Sequence, residues 1–158
     1  ILPCFFIKST ILLDIPINII ISWYLYSMKV KIKHNNNINQ EESALIDEFF
    51  KFLNEELPLN NDIVVDFNSS KDENMTTGVR LKKHHIKVLK DGRMFIDVLR
   101  TLAHEWAHEY QHQKMGLTDS MKKLKIGGWA ENHANAVAGI LIKKFAKSHK
   151  EIEDKLYE

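Results

Sequence analysis

The sequence predicts an α+β fold, and three patterns carry that prediction. Leu45, Phe49, Phe52, Leu53 and Leu57 recur at helical spacing, and so do Val98, Leu99, Leu102, Ala103 and Trp106. Between them lie a β-branched run at 62–67 and an alternating run at 78–89. A further long helical stretch, the last, lies at 129–148. The order is therefore helix, short β, helix, helix, and no internal repeat is visible.

Each element has a local reason. "KHNNNIN" is a polar linker. Asn39 starts the first helix, with Glu42 as its capping-box partner, and Pro58 with "LNND" stops it. "DIVVDF" is a short strand, and "NSSKDENMTTG" is a polar loop. "VRLKKHHIKVLKDG" alternates well enough for an edge strand or hairpin ending at Asp91-Gly92, so a small antiparallel sheet is expected. The next helix runs from about Phe95 to Lys114, and Gly116 ends it. "LTDSMKKLKIGG" connects it to the last helix, Trp129 to Ser148.

The chain of 158 residues is long enough for one domain with a real core. Residues 28–158 are assigned to that domain. Residues 1–27 stand apart: they are very apolar, yet Lys8, Asp14, Pro16 and Asn18 interrupt them. No stretch there reaches the roughly 18–20 apolar residues of a spanning helix. They read as sequence outside the native functional protein or as a membrane-associating segment. The expected location is cytoplasmic, with membrane association only through residues 1–27.

Composition narrows the function. Net charge is +1, without the basic excess of a nucleic-acid binder, so no nucleic-acid partner is expected. Cys4 is the sole cysteine, which excludes a disulfide framework or a multi-cysteine zinc site within one chain. Any metal would use histidine and carboxylate. Seven of the eight histidines lie at or after His84.

"TLAHEWAHEYQHQ" (101–113) holds the main cluster. His104-Glu105-Trp106-Ala107-His108 is H-E-x-x-H, which on a helix stacks two imidazoles on one face. Glu105 then sits close enough to act as general base on a metal-activated water. On the helical wheel Val98, Leu99, Leu102, Ala103, Trp106, Ala107 and Tyr110 share one half. His104, Glu105 and His108 share the other. Alone, this pattern also fits a surface helix that spells the motif by chance.

Two histidines leave a metal site open, so a third ligand is needed. His112 lies two turns beyond His104, about 12 Å along a straight helix, and is assigned to the cleft rim. Glu131 lies 23 residues after His108, with Ala134, Asn135, Ala138 and Ile142 on the same helical face. Small residues there allow close approach to the H-E-x-x-H helix. Asn135 is placed to orient a ligand histidine. His133 points the other way and reads as core or surface. Glu131 also fits a helix N-terminal acid that complements the dipole, and the two roles are compatible. Two histidines and one carboxylate with an open position make a catalytic zinc geometry, with one Zn²⁺ expected.

His104-Glu105-x-x-His108 followed by Glu131-x-x-Ala134-Asn135-x-x-Ala138 resembles the gluzincin metallopeptidases, and is most similar to the small ImmA/IrrE-like group. The resemblance covers about residues 60–145. It implies a minimal zincin-like fold, with zinc on His104, His108 and Glu131 and with Glu105 as base. It also implies an edge strand bordering the cleft, which 78–89 would supply. Asn135 stands where thermolysin-like members have an orienting aspartate, and the gap before the third ligand is shorter than in many relatives. No helix-turn-helix is evident, so a regulator-cleaving role has no support from domain content. For the oxyanion-stabilising group, Tyr110, His112, His84 and His85 stay open as alternatives. Alternation in an edge strand sends only one of His84 and His85 toward a cleft.

The function expected is zinc-dependent hydrolysis of a peptide bond, with a specific protein or peptide as substrate. A zinc-stabilised, non-catalytic binding or regulatory module is the alternative.

Overall fold

The computed structural model describes residues 29–33, 38–68, 77–82, 84–117 and 128–153. The assignments made for residues 1–27 and for most of "LTDSMKKLKIGG" lie outside the described residues. The elements in chain order are β1 (Val30–Lys33), α1 (Gln40–Glu56), β2 (Ile63–Asn68), β3 (Gly78–Leu81), β4 (His85–Leu89), α2 (Phe95–Met115), α3 (Trp129–Ser148) and the single turn α4 (Lys150–Glu153). The fold is α+β. No described helix is long and apolar enough to cross a membrane.

Helix boundaries follow local chemistry. The Asn39 side chain accepts from the Glu42 N–H at 2.8 Å, and Glu42 Oε2 accepts from the Asn39 N–H at 3.1 Å. This reciprocal pairing satisfies two N–H groups that the helix itself leaves unbonded. At the other end of α2, Gly116 takes the left-handed conformation, φ 68°, that a terminating residue needs.

The sheet corrects one expectation. Its strand order is β1-β2-β4-β3, and only β3–β4 is antiparallel. β1 and β4 both run parallel to β2. Parallel neighbours need a long crossover, and the 17 residues of α1 supply it between β1 and β2. β1 lies in "KVKIK", a run too short for its alternation to predict a strand. Its Val30 and Ile32 pair in register with Ile63 and Val65 and pack on the core from the sheet edge.

One sheet face is apolar: Ile63, Val65, Phe67, Ile86 and Val88 are all buried. Against this layer pack the apolar sides of α1 and α2, with α3 closing over them. Aromatic contacts knit the helices together. Phe49 meets Phe145 edge-on at 4.8 Å between centroids, and Phe50 meets Trp106 at 6.0 Å. Trp106 is fully buried, so its indole N–H needs a partner; it donates to the Leu57 carbonyl at 3.0 Å, just past the end of α1. This bond fixes the rotation of α2 and so decides where its polar face points.

Candidate metal centre

The polar face of α2 does not meet open solvent. Glu105 and His108 are buried at 7% and 5% exposure, roofed by β3 and by α3. α3 runs back along α2, bringing the Ala130–His133 end beside His108 and Gln111, and Asn135 and Ala138 beside the preceding turn. Ala134 and Ala138 are buried at this contact, where a larger side chain would hold the helices apart.

Three possible ligands converge. His104 Nε2 and His108 Nε2 are 3.0 Å apart. Glu131 Oε1 lies 3.1 Å from His108 Nε2, and Glu131 Oε2 lies 3.3 Å from His104 Nε2. A tetrahedral ion with bonds of about 2.0–2.2 Å sets its ligand atoms roughly 3.3–3.6 Å apart. The observed triangle is tighter by a few tenths of an ångström, within reach of small side-chain adjustments. His104, His108 and Glu131 could therefore hold one metal ion, and they are the group among the described residues with that property.

A feature missed in the sequence orients one of these possible ligands. Gln111 is fully buried between the two helices. Its Nε2 donates to the Ala130 carbonyl at 2.9 Å and to His133 Nδ1 at 3.0 Å. A carbonyl only accepts, so the amide orientation is settled, and Oε1 must face His108 Nδ1, 2.9 Å away. An amide oxygen also only accepts, so His108 carries its proton on Nδ1. Its Nε2 lone pair then faces Glu131 and the metal position. His133, read from sequence as core or surface, holds this amide from behind and stacks on Trp129 at 5.0 Å. The available signal was spacing: Gln111 follows His108 by three residues and shares its stripe of the helix.

A cavity of about 210 Å³ opens beside the ligands, lined in part by His104, Glu105, Gly78 and Asn135. Gly78 is required there. A Cβ on it would come within 2.4 Å of Thr101 Cγ2 and 3.2 Å of Glu105 Cγ. The edge strand β3 thus touches the Thr101–Glu105 turn of α2 directly.

Of the other sequence candidates, one lines the cavity and the rest lie elsewhere. Asn135 is exposed on the cavity wall, and the bond to a ligand imidazole expected of it is made by Gln111. Tyr110 packs against the hydrophobic core, away from this cavity. His112 Nδ1 donates to the Leu117 carbonyl at 3.1 Å, tying down the end of α2. His84 sits in the β3–β4 turn with φ 55° and donates from Nδ1 to Glu109 Oε1 at 2.5 Å. His85 faces Asp66 at 3.9 Å, where burial pushes its imidazole pKa down.

Glu109 forms a separate, fully buried anchor. Arg80 Nε donates to Oε2 at 2.6 Å, and Gln113 Nε2 donates to Oε1 at 2.6 Å, alongside His84. Burial alone would raise this carboxyl. The bonds from Gln113, His84 and Arg80, with the Arg80 charge, outweigh burial and hold it below the ordinary carboxylate range. Gln113 Oε1 in turn accepts from the Asn60 and Asn61 N–H groups at 2.7 and 3.1 Å. The polar end of "TLAHEWAHEYQHQ" thus clamps α2 to the β3–β4 turn and to the loop before β2.

Comparison with protein-family models, with curated proteins and with solved structures gave no match for this chain.

Proposed function

We propose that this chain is a zinc-dependent peptidase of the gluzincin type, cleaving a specific protein or peptide. The observation that carries the reading is the convergence of His104, His108 and Glu131 beside a cavity that Glu105 also lines. Two imidazoles and one carboxylate are a donor set that suits zinc and leaves room for a reactant. A zinc ion held there supplies Lewis acidity, polarising a carbonyl and acidifying water.

The chain's own residues do the rest. His108 is aligned by Gln111, so its lone pair needs no reorientation. Glu105 is nearly buried, and its carboxylate takes a proton from the attacking water. It returns that proton to the leaving amine as the C–N bond breaks. β3 stands at the edge of the described sheet and passes Glu105 closely at Gly78, so its backbone is placed to offer an extended substrate hydrogen bonds beside the base. The resemblance of His104-Glu105-x-x-His108…Glu131 to gluzincins supports the same reading.

The test is Glu105→Gln on the zinc-loaded chain, assayed against a mixed peptide library. The expected result is one bound zinc per chain, as in the unaltered protein, with cleavage reduced by at least a hundredfold. Cleavage that persists in Glu105→Gln overturns the mechanism. A chain that binds zinc yet leaves every peptide intact is instead the non-catalytic zinc module.

A further inference from the structure

The cavity beside the metal position has a second chemical feature, at the end away from Glu131. The chain holds nineteen lysines and only three arginines. Two of the arginines are committed to the fold. Arg80 pairs with buried Glu109, and Arg93 donates to the Leu89 and Asp97 carbonyls and to Thr101 Oγ1, each at 2.8–3.0 Å. The third, Arg100, is exposed and lines the cavity. Among the described residues, no hydrogen bond or ion pair engages its guanidinium. Among the described residues, Glu105 is the carboxylate that lines the cavity, little more than a turn further along α2. Asn135 stands across from it on α3, with amide donors of its own.

An arginine differs from a lysine in presenting a planar fork of donors that matches a carboxylate with two parallel bonds. In a chain that uses lysine for nearly all its cations, this one arginine lines the cavity beside the proposed reaction site. Arg100 precedes His104 by four residues, one helical turn, or about 6 Å of rise. An extended peptide advances about 3.3 Å per residue. A group held at Arg100 therefore lies roughly two residues along a substrate from the bond beside His104.

We infer that Arg100, assisted by Asn135, anchors a substrate carboxylate, so that this chain acts on peptides carrying a carboxylate about two residues from the scissile bond. The inference rests on the peptidase reading and adds the substrate class. The carboxylate has two possible sources: the free C-terminus of the peptide, or an Asp or Glu side chain. Held a turn away from Glu105, it is neutralised by Arg100 before it can repel the base.

The experiment measures binding, so that it does not depend on turnover. Three matched peptide hydroxamates are titrated into the full zinc-loaded chain: one neutral and amidated, one with a free C-terminal carboxylate, and one amidated with an Asp side chain. At least one carboxylate probe should bind about tenfold or more tightly than the neutral one, since paired charge-assisted bonds reach that range. Which probe gains identifies the source. Arg100→Gln should erase the difference while the neutral probe binds as before, and Arg100→Glu should make the carboxylate probes the weaker ones. Equal binding of all three probes overturns the inference. So does a preference that survives Arg100→Gln, or a loss of all three affinities together. The peptidase reading stands or falls separately, on Glu105→Gln.

Discussion

Gln111 Oε1 sits 2.9 Å from His108 Nδ1, and this contact decides which imidazole nitrogen faces Glu131. The amide is itself held by Ala130 and His133, so the element carrying Glu131 and the element carrying His108 are aligned by one side chain. Gln111→Leu should therefore weaken zinc binding about 10- to 100-fold, the usual effect of losing a partner behind a ligand histidine. Competition with a chromogenic chelator measures it. Gln111→Glu keeps an acceptor for His108 and should hold zinc more tightly than the leucine variant, although it gives up the donors to Ala130 and His133. An unchanged affinity in Gln111→Leu would remove the residue from any orienting role.

Metal content separates ligands from bystanders. Glu131→Ala and His104→Ala should each lose stoichiometric zinc after dialysis, whereas His112→Ala should retain it, because His112 is bonded to the Leu117 carbonyl. Elemental analysis reads this directly. Free zinc at about a thousand times its dissociation constant should add about 4 kcal/mol to stability, and a chelator should withdraw that gain. Melting temperatures of Glu131→Ala with and without zinc should coincide.

Gly78→Ala tests the contact between β3 and α2. The added methyl meets Thr101 Cγ2, and Thr101 cannot simply rotate, because its hydroxyl accepts from Arg93 at 2.8 Å. Overpacking of this kind costs about 1–3 kcal/mol. Thr101→Ser removes the clashing methyl and keeps the hydroxyl. The double variant Gly78→Ala/Thr101→Ser should then recover most of the loss in chemical denaturation, and no recovery would show that the strain lies elsewhere.

Glu109→Gln should destabilise the metal-free chain by about 3 kcal/mol at neutral pH, since Arg80 keeps its buried position but loses the opposing charge. The folded-state carboxyl is held below its ordinary range, so its contribution is fully present above the unfolded value, about 4.3. It is lost as pH falls through the lowered folded value. The gap between unaltered protein and variant should accordingly be constant from pH 7 to about 5 and close in stronger acid. A gap that widens on acidification would contradict the assignment.

Much of this was legible one element at a time. Asn39 and Glu42 announce the start of α1, Gly116 announces the end of α2, and Ile63–Phe67 can be little other than a strand. The i, i+4 spacing of His104 and His108 places both rings on one side of a helix before any packing is considered. These features depend on sterics and hydrogen bonds within about one turn of chain, and the residues involved carry them wherever the helix lies.

What lay beyond that range was decided by tertiary structure. Val30 and Ile32 alternate over only four residues, too short a run to declare itself, and β1 exists because β2 offers it a parallel partner across α1. Asn135 and Gln111 were both available to orient a ligand imidazole; the rotation of α2, held by the Trp106 bond to Leu57, and the close approach of α3 through Ala134 and Ala138 gave that place to Gln111. The same packing brings Glu131 to two imidazoles more than twenty residues earlier and places Arg100 on the wall of their cavity. By itself the sequence determined the helices and which side chains share a face. Only the burial of those faces against one another decided which side chains meet, because burial sums contacts from the whole chain.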